Sequence, residues 1–112
     1  MYKAEPRKLQ VYQTLSGREP FTEWLNSFQD RRTQTRIRKR LARLKTGNFG
    51  DYRSVGGGVF ELRLNFGAGY RIYFGEMDNI TVLLLCAGDK SSQARDINRA
   101  KTYWSEYKEG HP

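Results

Sequence analysis

Metal ligands and disulfide partners are almost missing from this chain. Its 112 residues include one cysteine, Cys86, and one histidine, His111. A lone cysteine forms no internal disulfide, and its position in the apolar run TVLLLCAG predicts a buried thiol rather than a nucleophile. The chain also has no spaced cluster of carboxylates, so zinc or paired-magnesium catalysis is poorly supplied and no metal site is expected. A ribonuclease built on two histidines is excluded. His111 is next to last in the chain and is expected to fray. Long hydrophobic runs are missing too. None approaches the ~20 residues of a membrane helix. The opening MYKAEPRKLQVYQ has no apolar centre of the signal-peptide kind, so a cytoplasmic protein without a membrane partner is expected.

Acidic residues are scarce as well, with 12 Asp and Glu against 20 Lys and Arg, a net charge of +8. The imbalance is local. Residues 31–75 hold eleven Lys and Arg but only Asp51 and Glu61 as acids, a net of +9, so the remainder sums to −1. A cationic middle on a neutral frame points to a polyanionic partner, most often nucleic acid. The blander reading is a solvated basic helix that serves solubility.

Hydrophobic residues make up 38% of the chain and aromatics 13%, enough for one folded domain over residues 1–112. LQVYQT, residues 9–14, alternates and reads as a strand. Pro20 suits a helix first turn, and Phe21, Trp24, Leu25 and Phe28 follow at helical spacing. A second helix over about 30–45 has a narrow apolar stripe of Ile37, Leu41 and Leu44, with Gly47 at its end. Arg32, Arg36, Arg38, Lys39, Arg40 and Arg43 cover much of the rest, and all of these but Arg32 are, with Arg53, the candidate nucleic-acid contacts. YRSVGGGV reads as a flexible loop. Its three glycines suggest a phosphate loop only weakly, because no helix follows to aim amides at a phosphate. FELRLNFGAGYRIYF is a pair of strands, with a turn at 75–79 leading to a central strand NITVLLLCA. A last helix begins near Ser91 or Ser92, either able to cap it. The predicted fold is α+β, a small, mostly antiparallel four-stranded sheet with helices packed on it, in the order β-α-α-β-β-β-α.

Alternation in the paired strands puts Leu62, Leu64 and Phe66 on one face and Glu61, Arg63 and Asn65 on the other. In the next run Tyr70, Ile72 and Phe74 oppose Arg71 and Tyr73. With the apolar faces turned to the helices, the far face is expected to display Glu61, Arg63, Arg71 and Tyr73 together. A cross-strand ion pair accounts for part of this, but one carboxylate cannot neutralise two arginines. Lys90 stands just before the last helix, where a cation opposes the helix dipole unless Asp89 or a bound anion compensates. The chemistry open to such a set is metal-free attack of an RNA 2′-OH on its own phosphodiester. Arg63, Arg71 and Lys90 would stabilise the phosphorane, and Tyr73 or Glu61 would move protons; Tyr73 could alternatively stack on a base.

GREPFTEWL, GNFGDYRSVGGGVFELRLNFGAGYRIYF and LLLCAGDKSSQARDINRAKTYW together closely resemble the RelE/ParE toxin superfamily, in particular its HigB-like addiction-module killer proteins. The resemblance spans roughly residues 9–107. It implies a small α+β toxin that cleaves mRNA, generally on the translating ribosome, and is inhibited by a cognate antitoxin, in this branch usually a helix-turn-helix protein; no cofactor is expected. The superfamily's active-site positions fall on Arg63, Arg71 and Lys90. ParE-like members poison DNA gyrase instead, so a non-enzymatic gyrase inhibitor or nucleic-acid-binding module is the alternative.

Overall fold

The computed structural model describes residues 5–111. Its elements are β1 (Lys8–Val11), α1 (Pro20–Asn26), α2 (Arg31–Lys45), β2 (Tyr52–Gly56), β3 (Val59–Leu64), β4 (Tyr70–Met77), β5 (Thr81–Gly88), a 3₁₀ turn (Lys90–Ser92) and α3 (Gln93–Gly110). The five strands form one mixed sheet in the order β1-β5-β4-β3-β2, with β1 parallel to β5 and the remaining pairs antiparallel. The domain is α+β, but the expected four-stranded, mostly antiparallel sheet is wrong. The added strand is β2, which the sequence presents as a loop. It is an edge strand whose residues are exposed except for half-buried Val55, so it carries no alternating apolar signal. Gly56, Gly57 and Gly58, all at positive φ, turn β2 into β3 and hold no phosphate-loop geometry.

The sheet is covered on both faces. On one side α1 and α2 bury Phe21, Leu25, Ile37, Leu41 and Leu44 against Leu62, Leu64, Ile72 and Phe74. On the other, α3 packs Ala100 and Trp104 over Val59, Tyr73, Leu83 and Leu85. Each fully buried large apolar side chain contributes about 1.5–3 kcal/mol. β5 serves both layers, with every residue from Val82 to Gly88 buried. A bulge opposite Tyr73 and Phe74 inserts Leu85, so Leu85 and Cys86 both turn towards α3.

Local chemistry sets the element ends. Asp30 caps α2 by accepting from the Arg32 amide at 2.9 Å, and Gly47, at φ 90°, follows its last turn. β4 runs through Gly75 to Met77, three residues into the turn expected at 75–79, and Asp78 and Asn79 make the reversal at φ 48° and 61°. Gly75 is needed inside the strand because Trp104 lies on it, where any Cβ would collide with the indole. The final helix is entered through the 3₁₀ turn. Asp89 caps that turn, accepting from the Ser91 amide at 2.8 Å, while Ser92 stands at the N-cap position of α3 without a side-chain cap bond.

Candidate nucleic-acid interface

Strand register gathers the arginines. Glu61 stands between Arg53 of β2 and Tyr73 of β4, while Arg63 faces Arg71 across β3 and β4, and Arg71 faces Gly88 of β5. The side chains of Arg53, Glu61, Arg63, Arg71 and Tyr73 converge on the α3 side of the sheet, near the start of that helix. They are not displayed as the sequence suggested. α3 covers this face, and both Glu61 and Tyr73 are fully buried.

Glu61 is the hub. One oxygen accepts from Arg53 Nε at 3.0 Å and Arg63 Nε at 3.3 Å. The other accepts from the Tyr73 hydroxyl at 3.0 Å and from Gln93 Nε2, in the first turn of α3, at 2.8 Å. Arg71 Nε approaches to 3.8 Å, an ion-pair distance without a hydrogen bond. Burial alone would raise the Glu61 pKa. The bonds from Gln93, Arg53, Tyr73 and Arg63 outweigh it and hold the carboxyl below its ordinary range. Glu61 is therefore a carboxylate at neutral pH with its acceptors occupied. Tyr73 moves the other way: burial, then the Glu61 charge and their hydrogen bond, push its pKa well up, so it stays a phenol. Neither proton-transfer candidate is open to a substrate, and Tyr73 has no free face for stacking on a base.

Three guanidiniums around one carboxylate leave two positive charges unbalanced. In all three, Nε is the guanidinium nitrogen that pairs with Glu61. Their side-chain exposures grade from 48% for Arg53 through 35% for Arg63 to 13% for Arg71, so Arg71 lies deepest. Lys90 is exposed on the 3₁₀ turn, two residues past the Gly88 that pairs with Arg71. Its amide donates to Ala68 at 3.4 Å, joining that turn to the β3–β4 loop. Among the described residues Lys90 makes no ion pair, since Asp89 is used in capping.

The basic face of α2 is a second cluster. Arg36, Lys39 and Arg43 are exposed and line a groove of about 470 Å³ whose far wall includes Arg63 and Phe66. Arg63 thus belongs to both clusters. Asp51 is the groove's only acid. Arg38 is exposed but lies outside the groove. Arg40 differs from its neighbours: it folds inward to bond the Phe49 carbonyl, and burial, then the charge of Arg43, lower its pKa. Its main task is to hold the chain that follows α2.

Sequence reasoning missed Gln93, Phe66 and Asp96. Gln93 carries no signal of its own, and Phe66 reads as one more apolar strand residue. Asp96 is buried, accepting from Ser92 Oγ at 2.5 Å and Arg99 Nη2 at 3.0 Å. The helical spacing of Ser92, Asp96 and Arg99 was the available clue. His111 is not frayed: it stacks on Tyr107 with ring centroids 4.1 Å apart. It lies the length of α3, about 27 Å, from Gln93. Cys86 is buried, which pushes its thiol up to about 12. Among the described residues no group of three or more His, Cys, Asp or Glu is placed to hold a metal ion, and no helix is long and apolar enough to cross a membrane.

Comparison with protein-family models gives no match. The chain is 44% identical over 93 residues to an uncharacterized protein of Haemophilus influenzae, an alignment that covers 83% of this chain and 90% of the other.

Proposed function

We propose that this chain, which belongs to one family with the Haemophilus influenzae protein, is the toxin of a toxin–antitoxin pair and a metal-independent mRNA endoribonuclease. The observation that carries the reading is the set of three arginines anchored on buried Glu61 with two charges in excess. A structural ion pair needs one cation per carboxylate, and the surplus calls for a second anion. An RNA phosphodiester supplies it. The 2′-hydroxyl gives its proton to water as its oxygen attacks phosphorus, the bond to the 5′-oxygen breaks and that oxygen takes a proton from water, and the products end in a 2′,3′-cyclic phosphate and a 5′-hydroxyl. Negative charge builds on the phosphorane oxygens as this happens. Arg63 and Arg71 offer fixed donors there, and Lys90 adds a mobile charge. Glu61, Tyr73 and Gln93 hold the arginines and do not move protons.

The basic groove of α2 would carry the flanking RNA, or ribosomal RNA, by its phosphates. A cytoplasmic location beside translating ribosomes follows from the reading, as does a helix-turn-helix antitoxin as the inhibitor. The burial of Glu61 and Tyr73 favours a second reading, in which the same surface binds without chemistry, as in a ParE-like gyrase inhibitor or a nucleic-acid-binding module.

Primer extension on mRNA after induction separates the two. Discrete cuts in translated messages are expected of the ribonuclease, and intact message in growth-arrested cells would replace it with the binder. Arg71→Ala should remain folded and antitoxin-bound while cutting slows by about 10²–10³. Arg71→Lys should recover little, because a point charge lacks the fork. Undiminished cutting by folded Arg71→Ala would remove this arginine from the site.

A further inference from the structure

We propose that Arg36 and Phe66 form a base-stacking subsite for single-stranded RNA, an inference that rests on the reading of this surface as an RNA-binding one. Arg36 Cζ sits 3.9 Å from the centre of the Phe66 ring. Among the described residues no other cation of α2 lies over an aromatic ring.

The platform beneath Arg36 is fixed from below. Tyr70 meets Phe66 edge to face at 5.5 Å, and Trp24 and Phe28 hold Tyr70 in turn, which ties the ring to the core. Gly67, at φ 58°, keeps the loop tight: a Cβ there would come within 2.6 Å of the Tyr70 ring. A surface arginine ordinarily loses rotamer freedom when it binds. Arg36 has its guanidinium already held against a π face while the residue stays exposed. Proteins stack unpaired bases on guanidinium planes and on aromatic rings, and here one lies over the other. Around the pair, Lys39, Arg43 and Arg63 supply charge for the phosphates of the same strand. Asp51 is turned to Asn65 at 3.4 Å. The occupant that matches both a flat cation and surrounding positive charge is single-stranded RNA, with one base on Arg36 and its neighbouring phosphate leading towards Arg63.

The test uses the intact protein and a fully 2′-O-methylated oligoribonucleotide carrying one 2-aminopurine, which binds but cannot be cut. Inorganic polyphosphate is the charge-only control, at the same salt. Binding should quench the 2-aminopurine. Arg36→Lys, at an exposed position that keeps its charge, and Phe66→Leu should each weaken the oligonucleotide about tenfold and change polyphosphate by less than about twofold. Equal losses for both ligands, or binding without quenching, would reduce the groove to electrostatics and overturn the subsite. So would an acidic peptide that binds more tightly than the oligonucleotide with the same dependence on Phe66. Because the probe is uncuttable, the result is independent of catalysis: a protein that stacks the base yet leaves mRNA intact keeps this subsite and loses the ribonuclease reading.

Discussion

Replacing Glu61 by glutamine removes the one negative charge that three arginines share while leaving the side chain's size almost unchanged. Breaking a buried ion-pair network by deleting one partner costs about 3–5 kcal/mol, because the other charge is left uncompensated. Here the cost should fall at the lower end. Arg53 and Arg63 have side-chain exposures of 48% and 35% and can turn to water, whereas Arg71, at 13%, cannot. We expect a loss of about 3 kcal/mol, mostly from Arg71, which corresponds to a melting point lower by roughly 12 °C. Urea unfolding at neutral pH measures it. The pH dependence supplies a second check. The Glu61 pKa is lowered in the folded state, so its stabilising contribution is fully present above the unfolded value of about 4.3 and is lost as pH falls below that towards the folded value. Glu61→Gln should therefore lie below the parent in stability at neutral pH and approach it in acid. A variant within about 1 kcal/mol of the parent at pH 7, below the range expected of a broken buried pair, would show that Glu61 does not anchor the cluster.

Arg40→Gln should destabilise the fold by about 1–3 kcal/mol through the lost bond to Phe49, seen as a lower urea midpoint, while leaving the salt dependence of RNA binding largely intact. Charge reversal at Arg36, Lys39 and Arg43, all exposed, should do the opposite: a near-parental urea midpoint and a flatter fall of RNA affinity with salt. Gly75→Ala should cost about 1–3 kcal/mol because its Cβ meets the Trp104 ring, and altered tryptophan fluorescence should report the displacement. With its thiol pushed up to about 12 by burial, Cys86 should react with a thiol reagent at neutral pH only as fast as the protein opens, so rapid labelling of the folded chain would contradict its placement.

Periodicity made most of the helices and the central strand legible. Ile37, Leu41 and Leu44 do face the core, and the doubly apolar run of β5 does lie inside the sheet. The same run implies a second layer. A strand apolar on both faces needs cover on both, and α3 supplies the second layer that buries Glu61 and Tyr73. β2 escaped because an exposed edge strand is held by backbone bonds to β3, to which side-chain patterning is blind. Alternation placed Glu61, Arg63, Arg71 and Tyr73 on one face, as the register has it. It could not say that Arg53 and Gln93 would close on Glu61 from β2 and α3, since those contacts depend on tertiary packing. Nor could it separate Arg40 from Lys39: their different fates turn on where the chain after α2 runs.

If the arginines held by Glu61 stabilise a transesterification of RNA, the cut ends carry its chemical signature. RNA from cells expressing the protein, with Arg71→Ala as the control, should be mapped for new 5′-hydroxyl termini and matching 2′,3′-cyclic phosphates. Both ends are expected at discrete positions in translated messages, and both should be lost in the variant. New ends bearing 5′-phosphates, or growth arrest with intact message, would contradict it.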